Sequence, residues 1–229
     1  MVKETTLSNG LRIITDEMND VETVSMGIWV SVGSRFEEPA ISGISHLLEH
    51  MAFKGTTGRS ALQIAQEVEN VGGVINAYTS KDVTAYYVKV LKEDAPMALS
   101  ILADIFQNST MDKEELAREK GVVLQEISQT ADAPDDIIFD YFQETAFPDQ
   151  PMGRPILGSA ETVRSITSET LLSYMHTEYA APRTVISAAG AVSHDFLVSE
   201  VEKLFTKLPV KGHREMLPAR YVGGEFRQK

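Results

Sequence analysis

Apolar and polar residues alternate through TVSMGIWVSVGS, which sets Val24, Met26, Ile28, Val30 and Val32 on one face and predicts a half-buried strand. Ahead of it, TLSNGLRIIT predicts a hairpin with Asn9-Gly10 as a two-residue turn. RFEEPAIS reads as a loop leading into SGISHLLEHMAFKGT, a candidate helix that Ser42 or Ser45 could cap. SALQIAQEVENVGG predicts a second helix, opened by Ser60 and ended by Gly72-Gly73. VINAYTSKDVTAYYVKVL reads as two strands around a polar SKD turn. Helical character recurs in APMALSILADIFQN, DKEELAREKGVVLQEISQTAD, PDDIIFDYFQETAF, SETLLSYMHTEY and HDFLVSEVEKLFTKL, and TVISAAGAV adds a strand. Strands and helices occur without a regular βαβ alternation, so the expected class is α+β. Residues 1–208 read as one domain, and residues 209–229, rich in Pro, Gly and charge, read as a linker.

Composition narrows the partners. The chain has 229 residues, 43% hydrophobic and 24% charged, which is ordinary for a globular protein with a sizeable core. A formal net charge of −12 argues against a general nucleic-acid binder and suits basic or amphipathic cationic partners. There are no cysteines, so a transition metal would have to be held by His, Asp or Glu. No apolar run is long enough to span a membrane, and the N-terminus lacks a signal-peptide layout, so a cytoplasmic location is expected.

The chemistry concentrates in His46, Glu49 and His50, which hold two of the chain's five histidines. On a helix, positions three and four apart share a face, so all three side chains project together. Two imidazoles at that spacing reach one tetrahedral metal ion, and the carboxylate beside them can act on water. The order H-x-x-E-H is the inverted zinc-peptidase signature. A buried amphipathic helix with a satisfied histidine pair is the plainer reading. His176, His194 and His213 lie in polar or capping contexts, so a carboxylate is the better third ligand. Glu119 and Glu126 are seven apart, two helical turns on one face, and either fits. A solvated pair of helix acids fits the same spacing.

Taken together and in order, HLLEHMAFKGT, GGVINAYTSKDVTAYYVKV, REKGVVLQEISQTADAPDD and MGRPILG resemble the pitrilysin-type zinc metallopeptidases. The match is closest to the mitochondrial-processing-peptidase-like group, including its bacterial members. The resemblance implies an antiparallel sheet packed with helices and zinc endopeptidase activity on peptides and unfolded or presequence-like segments. It implies Zn2+ held by His46, His50 and Glu126, the third ligand lying about seventy-six residues beyond the second histidine. It makes Glu49 the general base that activates the attacking water, and Glu119 a further catalytic glutamate. Asn76 and Ala77, with Tyr78 and Thr79 beside them, fall on a strand edge that binds the peptide substrate as an added strand. Asp136 and Asp140, four apart on a predicted helix, fall where processing-type relatives bind a substrate arginine. Arg154 falls in a family loop of packing character.

Such peptidases close their active site between two homologous halves, the second supplying an arginine and a tyrosine to the substrate. The chain is therefore expected to be an N-terminal half, weak or inactive without a C-terminal half or homologous subunit. Two other classes compete with this one: a non-catalytic partner or structural subunit on the same fold, and a metal-binding protein that does not hydrolyse. The second of these would not need Glu49.

Overall fold

The computed structural model describes residues 1–212 and 218–225; His213, and parts of the expected linker, lie outside the described residues. Alternation in β3 (Thr23–Val30) has the effect its period requires. Val24, Met26, Ile28 and Val30 are at most 1% exposed, while Ser25 and Trp29 point to the other face. Five more strands complete one sheet: β1 (Val2–Thr6), β2 (Arg12–Glu17), β4 (Val74–Thr79), β5 (Thr84–Leu91) and β6 (Thr184–Gly190). Their order is β1-β2-β6-β3-β5-β4, so β4 is an edge strand.

The class is α+β, as the sequence implies. The sheet is mixed rather than wholly antiparallel, because β6 inserts beside β2 and runs parallel to it, Ile13 opposite Ile186. All other neighbours are antiparallel. Periodicity shows which face of a strand is buried, but does not show which strand lies beside it.

Among the described residues, eight α-helices accompany the sheet: α1 (Ile44–Ala52), α2 (Ala61–Glu69), α3 (Ala95–Gln107), α4 (Lys113–Asp132), α5 (Pro134–Ala146), α6 (Ala160–Ser165), α7 (Ser168–Glu178) and α8 (His194–Leu204). α3 packs against β3 and β5 and is buried over most of its surface, Leu99, Ile101, Leu102 and Ile105 included. α2 has the expected Ser60 cap as a full capping box with Gln63. α6 has no counterpart in the sequence reading; Ser159 and Thr162 box its start, but its six residues are too few to show a helical period.

Two local expectations are corrected. The first hairpin closes through residues 7–11 instead of a two-residue turn, with Gly10 at φ +90° and Asn9 accepting from the Leu11 amide at 3.1 Å. Neither Ser42 nor Ser45 caps α1; the N-cap is Gly43 at φ +94°. Residues 218–225 have no regular structure and lie along the end of α5, where the Val222 amide donates to the Ala146 carbonyl at 3.0 Å.

His194, read as a polar capping residue, is nearly buried at the start of α8, with its two ring nitrogens 2.8 Å from the hydroxyls of Thr5 and Thr15. It ties the edge hairpin to α8. His194→Ala strands the buried Thr15 hydroxyl, so we expect a loss of about 1–3 kcal/mol in urea unfolding.

Candidate active site

Helix α1 presents its histidines to α4. His46 and His50 are one turn apart, their ring centroids separated by 4.7 Å. Glu126, from α4, brings Oε2 to 3.8 Å from His46 Nε2 and 3.7 Å from His50 Nε2. One ligand atom from each of the three lies within 4.8 Å of the others. Ligand atoms about 2.0–2.1 Å from one tetrahedral ion stand roughly 3.3 Å apart, so small rotations would bring this set to that geometry. Glu126 Oε2 is buried and accepts no hydrogen bond. A buried carboxylate oxygen without a donor is costly, and facing two imidazole nitrogens it suits a shared cation. The residues present fit a zinc ion by donor type, spacing and charge.

Glu119, two turns before Glu126, meets the other side of His50. Its Oε2 lies 2.9 Å from His50 Nδ1, and its Oε1 takes the Lys54 ammonium at 2.7 Å. With the His50 proton on Nδ1, the lone pair on Nε2 faces the cluster. Burial works to raise the Glu119 carboxyl, but Lys54 and His50 outweigh it and hold it below the usual carboxylate value. His46 is pushed down to about 4, first by burial and then by His50, which keeps its imidazole neutral at pH 7.

Glu49 lies between the histidines in sequence and turns toward the sheet, where the Thr79 hydroxyl donates to its Oε2 at 2.6 Å. Burial raises the Glu49 carboxyl, and Thr79 partly offsets that. Thr79 is the last residue of β4, so the edge strand carrying Asn76 and Ala77 ends against this carboxylate. Asn76 is exposed, and its Oδ1 accepts from the Ala77 amide at 2.8 Å. Tyr78 is exposed and its ring meets that of Tyr87.

Asp136 and Asp140 share α5 but differ in setting. Asp136 is exposed; Asp140 is half-buried, its carboxyl raised by burial against the opposing pull of the Lys81 ammonium. Arg154 makes structural contacts: its guanidinium donates to the Glu37 carbonyl and its own carbonyl accepts from Lys81.

Residues 12–160 match the family model described as Insulinase (Peptidase family M16). This chain belongs to the M16 peptidase family. It is 48% identical over 218 residues to an uncharacterized zinc protease of Rickettsia felis, covering 95% of this chain and 53% of that protein. It is 44% identical over 228 residues to a probable mitochondrial-processing peptidase subunit beta of Arabidopsis thaliana, covering 97% of this chain and 43% of that one. A protease from Helicobacter pylori has the same fold, with a TM-score of 0.88 at 24% identity over 96% of this chain and 54% of its own. The chain spans about half the length of these relatives.

One contact of this cluster escaped the sequence reading. Lys54 lies just beyond the C-cap of α1, past the range in which helical spacing could place it. Thr79 was read only as part of the strand edge. Replacing it tests the geometry: Thr79→Val removes the hydrogen bond that opposes burial, so the Glu49 carboxyl should titrate still higher. Side-chain 13C NMR reads this directly, and an unmoved titration would count against the contact.

Proposed function

We propose that this chain is the metal-bearing half of a zinc endopeptidase that hydrolyses peptides or unfolded, presequence-like segments. The observation that carries the reading is the convergence of His46 Nε2, His50 Nε2 and the unpartnered Glu126 Oε2, with Glu49 on the same helix. In this reading His46, His50 and Glu126 hold Zn2+. A zinc ion bound there supplies Lewis-acid polarisation of the scissile carbonyl and makes water more acidic. Glu49 takes the proton of the attacking water on its carboxylate and passes it to the leaving amine. Burial raises its carboxyl, and the Thr79 hydroxyl holds it in place. Glu119 acts through His50 as a positioning residue, with Lys54 fixing it from the far side.

The substrate lies along β4 as an added strand, held by main-chain bonds that tolerate many sequences. Asn76 then has to release the Ala77 amide for the peptide to reach it. The register carries the peptide toward Thr79 and Glu49. Asp136 and Asp140 take a basic side chain of the substrate, in keeping with the chain's net charge of −12. A C-terminal half or homologous subunit forms the opposite wall, and the isolated chain has weak or no activity without it.

The deciding experiment measures zinc binding and cleavage of a mixed peptide library, by the chain alone and with a homologous second half. Glu49→Gln should bind zinc as the parent does and lose cleavage by a hundredfold or more, as a chelator also would. Near-parent turnover by Glu49→Gln would overturn its role as base. Asp136→Asn with Asp140→Asn should lower kcat/KM for arginine-containing peptides by about tenfold and leave arginine-free peptides unchanged. Equal losses on both sets would mark the pair as structural.

A further inference from the structure

The start of α1 is capped from outside the helix. Glu37, in the loop before it and 3% exposed, accepts the Gly43 amide on Oε2 at 2.7 Å and the Ser45 amide on Oε1 at 2.9 Å. An ordinary N-cap side chain is excluded here. Gly43 sits at φ +94°, and a Cβ on it would lie 2.6 Å from the Leu157 carbonyl oxygen. The neighbouring Ser42 hydroxyl is buried without a partner. Glu37 is itself held, because the Arg154 guanidinium donates to its carbonyl. The Ser45 hydroxyl, 3.0 Å from the Tyr174 hydroxyl, fixes the same turn on the side of α7. His46 is the next residue.

We propose that Glu37 is a positioning residue for the metal centre. Gripping two amides of the first turn, it sets the rotation of α1 about its axis and its depth against α4. Those two quantities decide whether His46 Nε2 and His50 Nε2 converge on Glu126 Oε2. A helix free to rotate about its axis would swing both imidazoles together, since they share one face. Burial pushes the Glu37 carboxyl up to about 7 against the two amides that favour its ionised form, so the grip is fullest at mildly alkaline pH. The inference rests on reading the cluster as a metal site, and the test separates the two.

Zinc affinity is measured at pH 8 by competition with a chromophoric chelator, for the parent chain and for Glu37→Gln. The amide keeps the shape but sets an N–H donor against one of the two backbone amides. The visible spectrum of the Co2+-loaded chain reports ligand geometry independently of activity. We expect Glu37→Gln to keep its far-UV circular dichroism, bind zinc ten- to a hundredfold more weakly, and show a changed Co2+ spectrum. If the parent binds no zinc, the reading of the site fails. If the parent binds zinc and Glu37→Gln matches it in affinity and spectrum, Glu37 is only a structural cap and the proposal falls. Should Glu37→Gln not fold, amide exchange in the parent decides. Coupling is reciprocal, so zinc loading must slow exchange at Gly43 and Ser45, and unchanged rates there would overturn the proposal.

Discussion

The site depends on holding α1 against α4 with imidazoles and carboxylates facing each other, partly withdrawn from water. Three glutamates, Glu49, Glu119 and Glu126, crowd two histidines, and partly buried carboxylates repel one another unless something compensates. Each is compensated differently. Lys54 and His50 neutralise Glu119, the Thr79 hydroxyl supports Glu49, and Glu126 turns an undonated oxygen to two imidazole nitrogens. In the function proposed above, that difference in surroundings separates their roles: Glu119 positions His50, Glu49 serves as the base, and Glu126 faces the cation.

The rest of the fold keeps this arrangement rigid. α1 buries Ile44, Leu47, Leu48 and Met51 in the core on its other faces, so its polar side has no freedom to turn away. β4 closes the site from the sheet, and its free edge runs toward Glu49. Polar groups that would weaken an ordinary core are retained around α1: Glu37 accepts two backbone amides, and the Ser45 and Tyr174 hydroxyls pair with each other. Local rules are broken most visibly at the start of α1, with a left-handed glycine N-cap and a remote carboxylate, as expected beside a functional centre.

How much of this was legible follows from the range of each signal. The face shared by His46 and His50 was readable because helical spacing is a local property, whereas the turn of Glu49 beside them toward the sheet was not. Glu119 and Glu126 were readable as a pair for the same reason, and only the family resemblance chose between them as ligand. β3 was visible in its period, the other strands and most helices in their residue types and turn signals, with β1 read only as the arm of a hairpin at TLSNGLRIIT; α6 was too short to show a period. The placing of β6 beside β2 was not visible, because strands far apart in sequence carry no mark of their neighbours.

By itself, then, the sequence determined which residues share a face, where apolar surface must be buried, and which metal-ligating groups the chain possesses. Tertiary structure alone decided that α4 meets α1 so that Glu126 faces both imidazoles, that Glu119 is held between His50 and Lys54, and that Glu37 reaches back to cap a helix without a usable cap of its own. The physical reason is distance along the chain. Spacing fixes direction within one element, whereas a hydrogen bond or shared ion between elements depends on how the whole core packs.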